Sequence, residues 1–237
     1  MTLSFEQAFQ QQEMYRATDE EVLRRIGDVT LVAFVGPTAV GKNFNMARLP
    51  YHQAGTLTNR EAQPRDGNSP YQYLTGKKFL RRIERGTLVQ YAAIPPDRFY
   101  GSDADCYEPG VNVMDVTSVA VETAYNQGFG AVRPIGVLAR EKDWRVRLDK
   151  RFQGMDHDEI ESRLDEAEES IDTITHSWGD DRLVIVSSPR LVASNLLDME
   201  QYIATGEVRG RKMLQKIGKD MLDSLPTLRH DYLKRKT

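Results

Sequence analysis

The chain has 237 residues, is 40% hydrophobic and 28% charged, and carries a formal net charge of −3. Those values suit one globular domain with short appendages and a sizeable core, and they give no global attraction to nucleic acid or to an anionic membrane. The single cysteine, Cys106, excludes an internal disulfide, and no apolar run approaches the ~18 residues that span a bilayer.

The opening residues, Met1 to Glu6, lack the basic start and apolar block of a signal peptide, so a cytoplasmic protein is expected. The first ~28 residues read as helical and peripheral, with Thr18 and Glu21 spaced as a capping box ahead of Val22, Leu23 and Ile26. Leu31 to Val35 is an apolar run of the kind that makes a buried strand, and it leads into Gly36-Pro37-Thr38-Ala39-Val40-Gly41-Lys42-Asn43. The spacing from Gly36 to Gly41-Lys42 is that of a phosphate-binding loop, and Phe44 to Leu49 can supply the helix such a loop needs behind it. Glycines let backbone N–H groups turn towards a polyphosphate, and the lysine reaches its terminal oxygens.

Residues 56 to 102 are polar and arginine-bearing, with a short helix predicted over Phe79 to Glu84, stopped at Gly86, and a strand over Leu88 to Ala93. Val111 to Val116 reads as a buried strand reaching the acid Asp115, and Ser118 to Asn126 as a helix stopped by Gly128. Val132 to Leu138 reads as a strand whose proline, Pro134, restricts it to an edge or an end. Lys142 to Arg151 and Asp158 to Thr173 are helical, and Leu183 to Val186 is the last strand. Strands alternating with helices predict an α/β fold with a mainly parallel central sheet, whose ligands sit at the carboxyl ends of the strands. From about residue 191 the chain is helical. Arg209, Arg211, Lys212, Lys216 and Lys219 alternate there with Met213, Leu214 and Ile217, as in an amphipathic helix packed on the core or on a second copy in a homodimer. The charge comes without interleaved aromatics, which argues against a nucleic-acid contact. The four histidines have no ligand spacing, and no metal site made of protein ligands is expected.

Two arginine clusters complete the pattern: Arg60 with Arg65, and Arg147 with Arg151 and Arg163. With the loop, they resemble the guanylate kinase family, over about residues 30 to 188. The loop is similar to that family's Gly-Pro-Ser-Gly-x-Gly-Lys. Thr56, Arg60 and Arg65, followed by Tyr71-Gln72-Tyr73, resemble its Ser-x-x-x-Arg-x-x-Arg and Tyr-x-Phe segments. Leu74 to Phe79 stands for its Val-Ser-x-x-x-Phe, and Gly86 to Tyr91 for its Gly-x-Phe-x-Glu-Tyr/Trp. Tyr100-Gly101-Ser102 matches its Tyr-Gly-Thr/Ser, and Asp115-Val116 its Asp-Val.

The resemblance implies a three-layer P-loop kinase with a small nucleoside-monophosphate-binding subdomain over about 56–102 and a helical lid over about 140–165. A helical extension at 1–28 and another at 191–237 would flank the 29–190 domain. It implies transfer of the ATP γ-phosphoryl group to GMP with Mg²⁺. Gly36 to Asn43 would hold ATP, and Lys42, Arg147, Arg151 and Arg163 would act on the moving phosphoryl group. Thr56, Arg60, Arg65, Tyr71, Gln90, Tyr100, Ser102 and Asp115 would serve the acceptor. The chain departs from that pattern in four respects. Asn43-Phe44 replaces the hydroxyl pair after the lysine, four residues rather than two separate Arg60 from Arg65, the Arg65-to-Tyr71 stretch is correspondingly shorter, and Gln90 replaces the glutamate that reads guanine. Two other readings stay open: the same fold acting on another nucleotide or a sugar phosphate, and a binding module without catalysis.

Overall fold

The computed structural model describes residues 3–62, 71–94, 97–208 and 214–234. In chain order its main elements are α1 (Phe5–Gln11), α2 (Glu20–Ile26), β1 (Val29–Val35), α3 (Lys42–Met46), β2 (His52–Gln53), β3 (Thr56–Thr58), β4 (Tyr71–Tyr73), α4 (Gly76–Glu84) and β5 (Leu88–Ile94). They continue with β6 (Arg98–Asp103), β7 (Gly110–Asp115), α5 (Ser118–Ala124), β8 (Ala131–Leu138), α6 (Glu141–Arg151), α7 (His157–Asp172), β9 (Leu183–Val186), α8 (Val192–Thr205) and α9 (Leu214–Lys234).

Five strands form the central sheet in the order β2-β7-β1-β8-β9, with β2 parallel to β7 and β8 parallel to β9. This is the α/β arrangement expected from alternating strands and helices. A second sheet has the order β4-β3-β6-β5, where β3 runs antiparallel to β6, and β6 to β5. The chain divides into two compact units, Met1–Val32, Tyr51–Met114 and Val119–Val132 in one, and Ala33–Pro50, Asp115–Ser118 and Arg133–Thr237 in the other. Both draw on β1, where Leu31 to Val35 is fully buried; each of its leucine, valine and phenylalanine side chains contributes about 1.5–3 kcal/mol relative to exposure.

In the first unit the N-terminal helices lie against the second sheet. Ser4 caps α1 and exchanges bonds with Gln7, its Oγ accepting the Gln7 N–H at 3.2 Å while Gln7 Oε1 accepts the Ser4 N–H at 2.9 Å. Tyr91 Oη donates to Ala8 O at 2.8 Å, Tyr15 Oη donates to Leu88 O at 2.9 Å, and the Ala93 N–H donates to Gln12 Oε1 at 2.8 Å. The cap of α2 is Asp19, which accepts the Val22 N–H at 3.1 Å, and not Thr18. Thr18 instead donates its N–H to Gly86 O at 3.2 Å, and a side chain on Gly86 (φ +63) would collide with it. The left-handed Gly86 also closes α4, its N–H donating to Ile83 O at 3.0 Å and the Thr87 N–H to Arg82 O at 3.1 Å.

In the second unit Pro134 corrects another expectation, because β8 is an interior strand between β1 and β9. The register with β9 begins at Ile135 paired to Leu183, one residue past the proline, so the missing N–H deprives that ladder of nothing. The last helix packs on the core. Met221, Leu225 and Leu228 are buried, Arg229 pairs with Asp165 and Glu168 of α7 at 2.7 Å each, and Asp231 takes Arg145 of α6 at 2.8 Å. Of the basic residues noted in this region, Arg209, Arg211 and Lys212 lie outside the described residues, as does Met213.

Candidate active site

The glycine-rich loop follows β1 directly and opens α3. Its shape is set by backbone that side chains would obstruct. Gly36 (φ +152) lies so close to Val137 O, and Gly41 (φ +108) to Ser187 Oγ, that a Cβ at either would collide. Between them Ala39, at φ 59, is the one non-glycine among the described residues with positive φ. Its backbone conformation costs an L-residue roughly 1–2 kcal/mol.

Lys42 is the first residue of α3, and its side chain is only 10% exposed. Nζ donates to Gly36 O and, at 3.4 Å, to Pro37 O, and it stands 3.4 Å from Asp115 Oδ1 at the end of β7. The underside of the loop is braced by three side chains. Trp144 of α6, fully buried, donates Nε1–H to Thr38 O at 2.8 Å. Asn45 donates Nδ2–H to Gly41 O at 2.8 Å and to Ser187 Oγ at 3.4 Å. Arg147 donates to Val40 O through Nη1 and to Ser187 O through Nη2 at 3.0 Å. Pro37, Thr38 and Val40 are buried, whereas Asn43 is exposed.

Asp115 has its carboxyl pKa raised, chiefly by the protein packed around it and further by Glu166, against the opposing pull of Lys42 and Arg163. The side chain keeps 46% of its surface open, which limits that upward push. Arg163 pairs with Glu166 at 3.0 Å and so sits within the same charge group. Arg151, at the end of α6, is exposed. Lys42, Arg147 and Arg163 thus supply cations at the loop beside two carboxylates, Asp115 and Glu166, with backbone geometry suited to phosphate.

A second constellation is built on the β4-β3-β6-β5 sheet. Thr56 stands opposite Tyr71 in the β3–β4 register, and Tyr100 pairs with both Thr58 and Ala92. Thr58 Oγ1 donates to Phe99 O at 2.8 Å and accepts the Arg60 N–H at 3.3 Å, fixing the start of the arginine. The Arg60 guanidinium lies 4.6 Å from the centre of the Tyr71 ring, within cation–π range. Arg65 lies outside the described residues.

The floor of this constellation is buried and polar. Gln90 is 7% exposed and Ser102 is fully buried. Ser102 Oγ is 2.7 Å from Tyr107 Oη, and the phenol lies 3.6 Å from Met114 Sδ. Burial pushes the Tyr107 hydroxyl well above its ordinary pKa, so it is a neutral phenol at physiological pH. Gln90 Nε2 approaches Met114 Sδ at 3.5 Å, but Gln90 Oε1 has no hydrogen-bond partner among the described residues. A buried acceptor left unpaired costs about 1–3 kcal/mol, which a bound N–H donor would recover.

Sequence reasoning missed Ser187, Trp144, Glu166, Thr58, Tyr107 and Met114. Ser187 had a signal, since it directly follows β9 at the carboxyl end of a parallel strand. The others are positioned by tertiary contact alone.

No family model matches the chain. Over an alignment of 160 residues it is 28% identical to the guanylate kinase of Salinibacter ruber (strain DSM 13855 / M31), which covers 61% of this chain and 82% of that protein. Among solved structures, the guanylate kinase from Anaplasma phagocytophilum matches with a TM-score of 0.51 at 14% identity, over 76% of this chain and 86% of the other. The fold is that of the guanylate kinases, and the sequence similarity points the same way.

Proposed function

We propose that this chain, with the fold of the guanylate kinases and sequence similarity to one of them, is an ATP-dependent nucleoside-monophosphate kinase. It would transfer the γ-phosphoryl group of ATP to GMP, giving ADP and GDP. The observation that carries this reading is Lys42 at the mouth of a loop shaped by Gly36 and Gly41, with Asp115 at 3.4 Å and Arg147 bonded into the same loop. A pure interaction module has no physical use for that cluster.

In this reading the loop backbone from Gly36 to Asn43 receives the donor's phosphates, and Lys42 leaves its carbonyl partners to reach the β- and γ-oxygens. Asp115 suits Mg²⁺, which commonly takes one or two carboxylates and fills its remaining positions with water and phosphate oxygens. The metal would screen the charge that the transferred group carries. Arg147, Arg163 and Arg151 would offset the negative charge spread over that group in the transition state. An oxygen of the acceptor phosphate attacks the γ-phosphorus in line, the bond to the β–γ bridging oxygen breaks, and ADP leaves with the electron pair. No covalent intermediate with the protein is needed.

The acceptor would be held by Arg60, Arg65, Tyr71, Tyr100 and Thr56 at its phosphate, with Gln90 and Ser102 facing its base. The unpaired Gln90 Oε1 supports a base that offers an N–H, and guanine does so at N1. The same atom favours a second reading. A carboxamide accepts one N–H where a carboxylate accepts two, so another nucleoside monophosphate with an N–H beside an acceptor would also fit.

The test is ADP formation from ATP–Mg²⁺ with a panel of nucleoside monophosphates, with Lys42→Ala as the control. Turnover on GMP that disappears in the variant supports the first reading. Turnover only on a different acceptor moves the assignment to the second. Saturable ATP binding with no turnover on any acceptor overturns both.

A further inference from the structure

Helix α4 buries Phe79 and Ile83 on one face and carries a row of positive charge on another. Lys78 lies three and four positions before Arg81 and Arg82, and Arg85 four and three after them, so that all four fall within an arc of about 100° on a helix of ~3.6 residues per turn. With Arg25 of α2 they line a cavity of about 540 Å³ whose walls also include Asp103 and Asp105. Two of these cations are matched there: Arg25 pairs with Asp105 at 2.6 Å, and Arg82 with Asp103. Lys78, Arg81 and Arg85 have no ion-pair partner among the described residues. The acid of the same helix, Glu84, accepts the Leu3 N–H instead.

Like charges at this spacing repel. Arg81 and Arg82 recover part of that from the carboxyl end of the helix, whereas Lys78 stands in the first turn, where positive charge is disfavoured. A solvated surface would spread these charges or alternate them with acids. Here they converge on a concavity whose volume lies within the ~300–1,000 Å³ range of small-molecule sites.

We propose that this cavity binds a compact polyanion, a ligand carrying two or more linked phosphate groups. It shares no residue with the phosphate loop or with the constellation around Gln90. The lining contains no aromatic side chain. That disfavours base stacking and hence a nucleic-acid strand, and it leaves the phosphate chain as the recognised part. The lysine and arginines would grip it as point charge and forks.

The experiment is calorimetric titration of inorganic triphosphate into the full chain carrying Lys42→Ala, which disables the phosphate loop, at low salt. Saturable binding is expected, weakened at least tenfold when Arg81→Ala and Arg85→Ala are added. It should be unchanged when the exposed Lys142 and Lys150 are replaced by alanine instead. ATP should bind the Lys42→Ala protein about as well as triphosphate does. Binding indifferent to Arg81 and Arg85, no saturation, or binding of ATP but not triphosphate would each overturn the proposal. So would a single-stranded oligonucleotide that displaces triphosphate at lower concentration. Because the protein tested lacks Lys42, the result does not depend on whether the kinase reading holds.

Discussion

Arg147 is tied to Ser187 twice, through Nη2 to the carbonyl at 3.0 Å and through Nη1 to the hydroxyl at 3.4 Å, while Nη1 also reaches Val40 O. The guanidinium thus links the residue after β9 to the phosphate loop. Arg147→Lys keeps the charge but cannot span these acceptors. Hydrogen bonds to charged groups contribute about 1.5–3 kcal/mol, so the variant should lose about 1–2 kcal/mol of stability in chemical denaturation. It should also lose kcat by tenfold or more. A fall in kcat with unchanged stability would mean that the arginine acts only on the transferred group.

Gly41 tests the loop geometry. Its φ of +108 and its approach to Ser187 leave no room for a methyl group. Gly41→Ala should cost about 2–3 kcal/mol by combining backbone strain with overpacking, and ATP should no longer raise the melting temperature. A variant that keeps both stability and the ATP-induced shift would show that the loop relaxes freely.

Gln90 is the residue proposed to face the acceptor's base. The native protein should discriminate weakly between GMP and IMP, because a single acceptor oxygen reads N1–H in both and has nothing left for the 2-amino group. Gln90→Glu should raise the GMP-to-IMP ratio of kcat/KM by about tenfold, the equivalent of one recovered hydrogen bond. An unchanged ratio would place base recognition elsewhere.

Asn43 offers no hydroxyl at the start of α3. Asn43→Ser should lower the Mg²⁺ concentration needed for half-maximal turnover several-fold, since a hydroxyl oxygen there can complete the metal's shell. Magnesium titration at saturating ATP reads this directly, and an unshifted midpoint would exclude position 43 from the metal's surroundings.

Alkaline pH should destabilise the fold. Burial pushes the Cys106 thiol up to about 12 from 9.0, and the Tyr91 phenol up to about 12 from 10.0. The folded state therefore keeps protons that the unfolded state releases. The associated stability is complete below about pH 9 and drains away as pH rises towards 12, at up to about 1.4 kcal/mol per unit per group. Melting temperatures between pH 8 and 11 should fall steadily. Cys106 should stay inert to a disulfide reagent at pH 8 until the chain unfolds, and rapid labelling of the native protein would contradict this.

Much of this fold was legible in short runs of sequence. Leu183 to Val186 is a strand with the predicted limits, and the apolar block before Gly36 is the most buried segment of the sheet, because continuous apolar runs bounded by turn residues have few other uses. Local rules failed where a neighbour in sequence offered the same chemistry. Thr18 and Asp19 are both good caps; both donate their N–H to Gly86 O, far along the chain, and it is the Asp19 carboxylate that takes the Val22 N–H. Pro134 looked like an edge marker because its pairing partner begins one residue later, which only the register reveals. The loop's lysine and glycines were readable from spacing. Its supports, Trp144 and Asn45, were not, since nothing in their own segments records which carbonyls they bond.

The bond from Lys42 to Gly36 O folds the loop's own cation back onto its first carbonyl. If a nucleotide binds there as proposed, it must compete with that internal contact, so its affinity would be the intrinsic one multiplied by the fraction of molecules whose lysine is released. Under the proposed reading, what a nucleotide gives up to free the ammonium would be returned when it departs and the lysine swings home, so the contact would loosen donor and product alike.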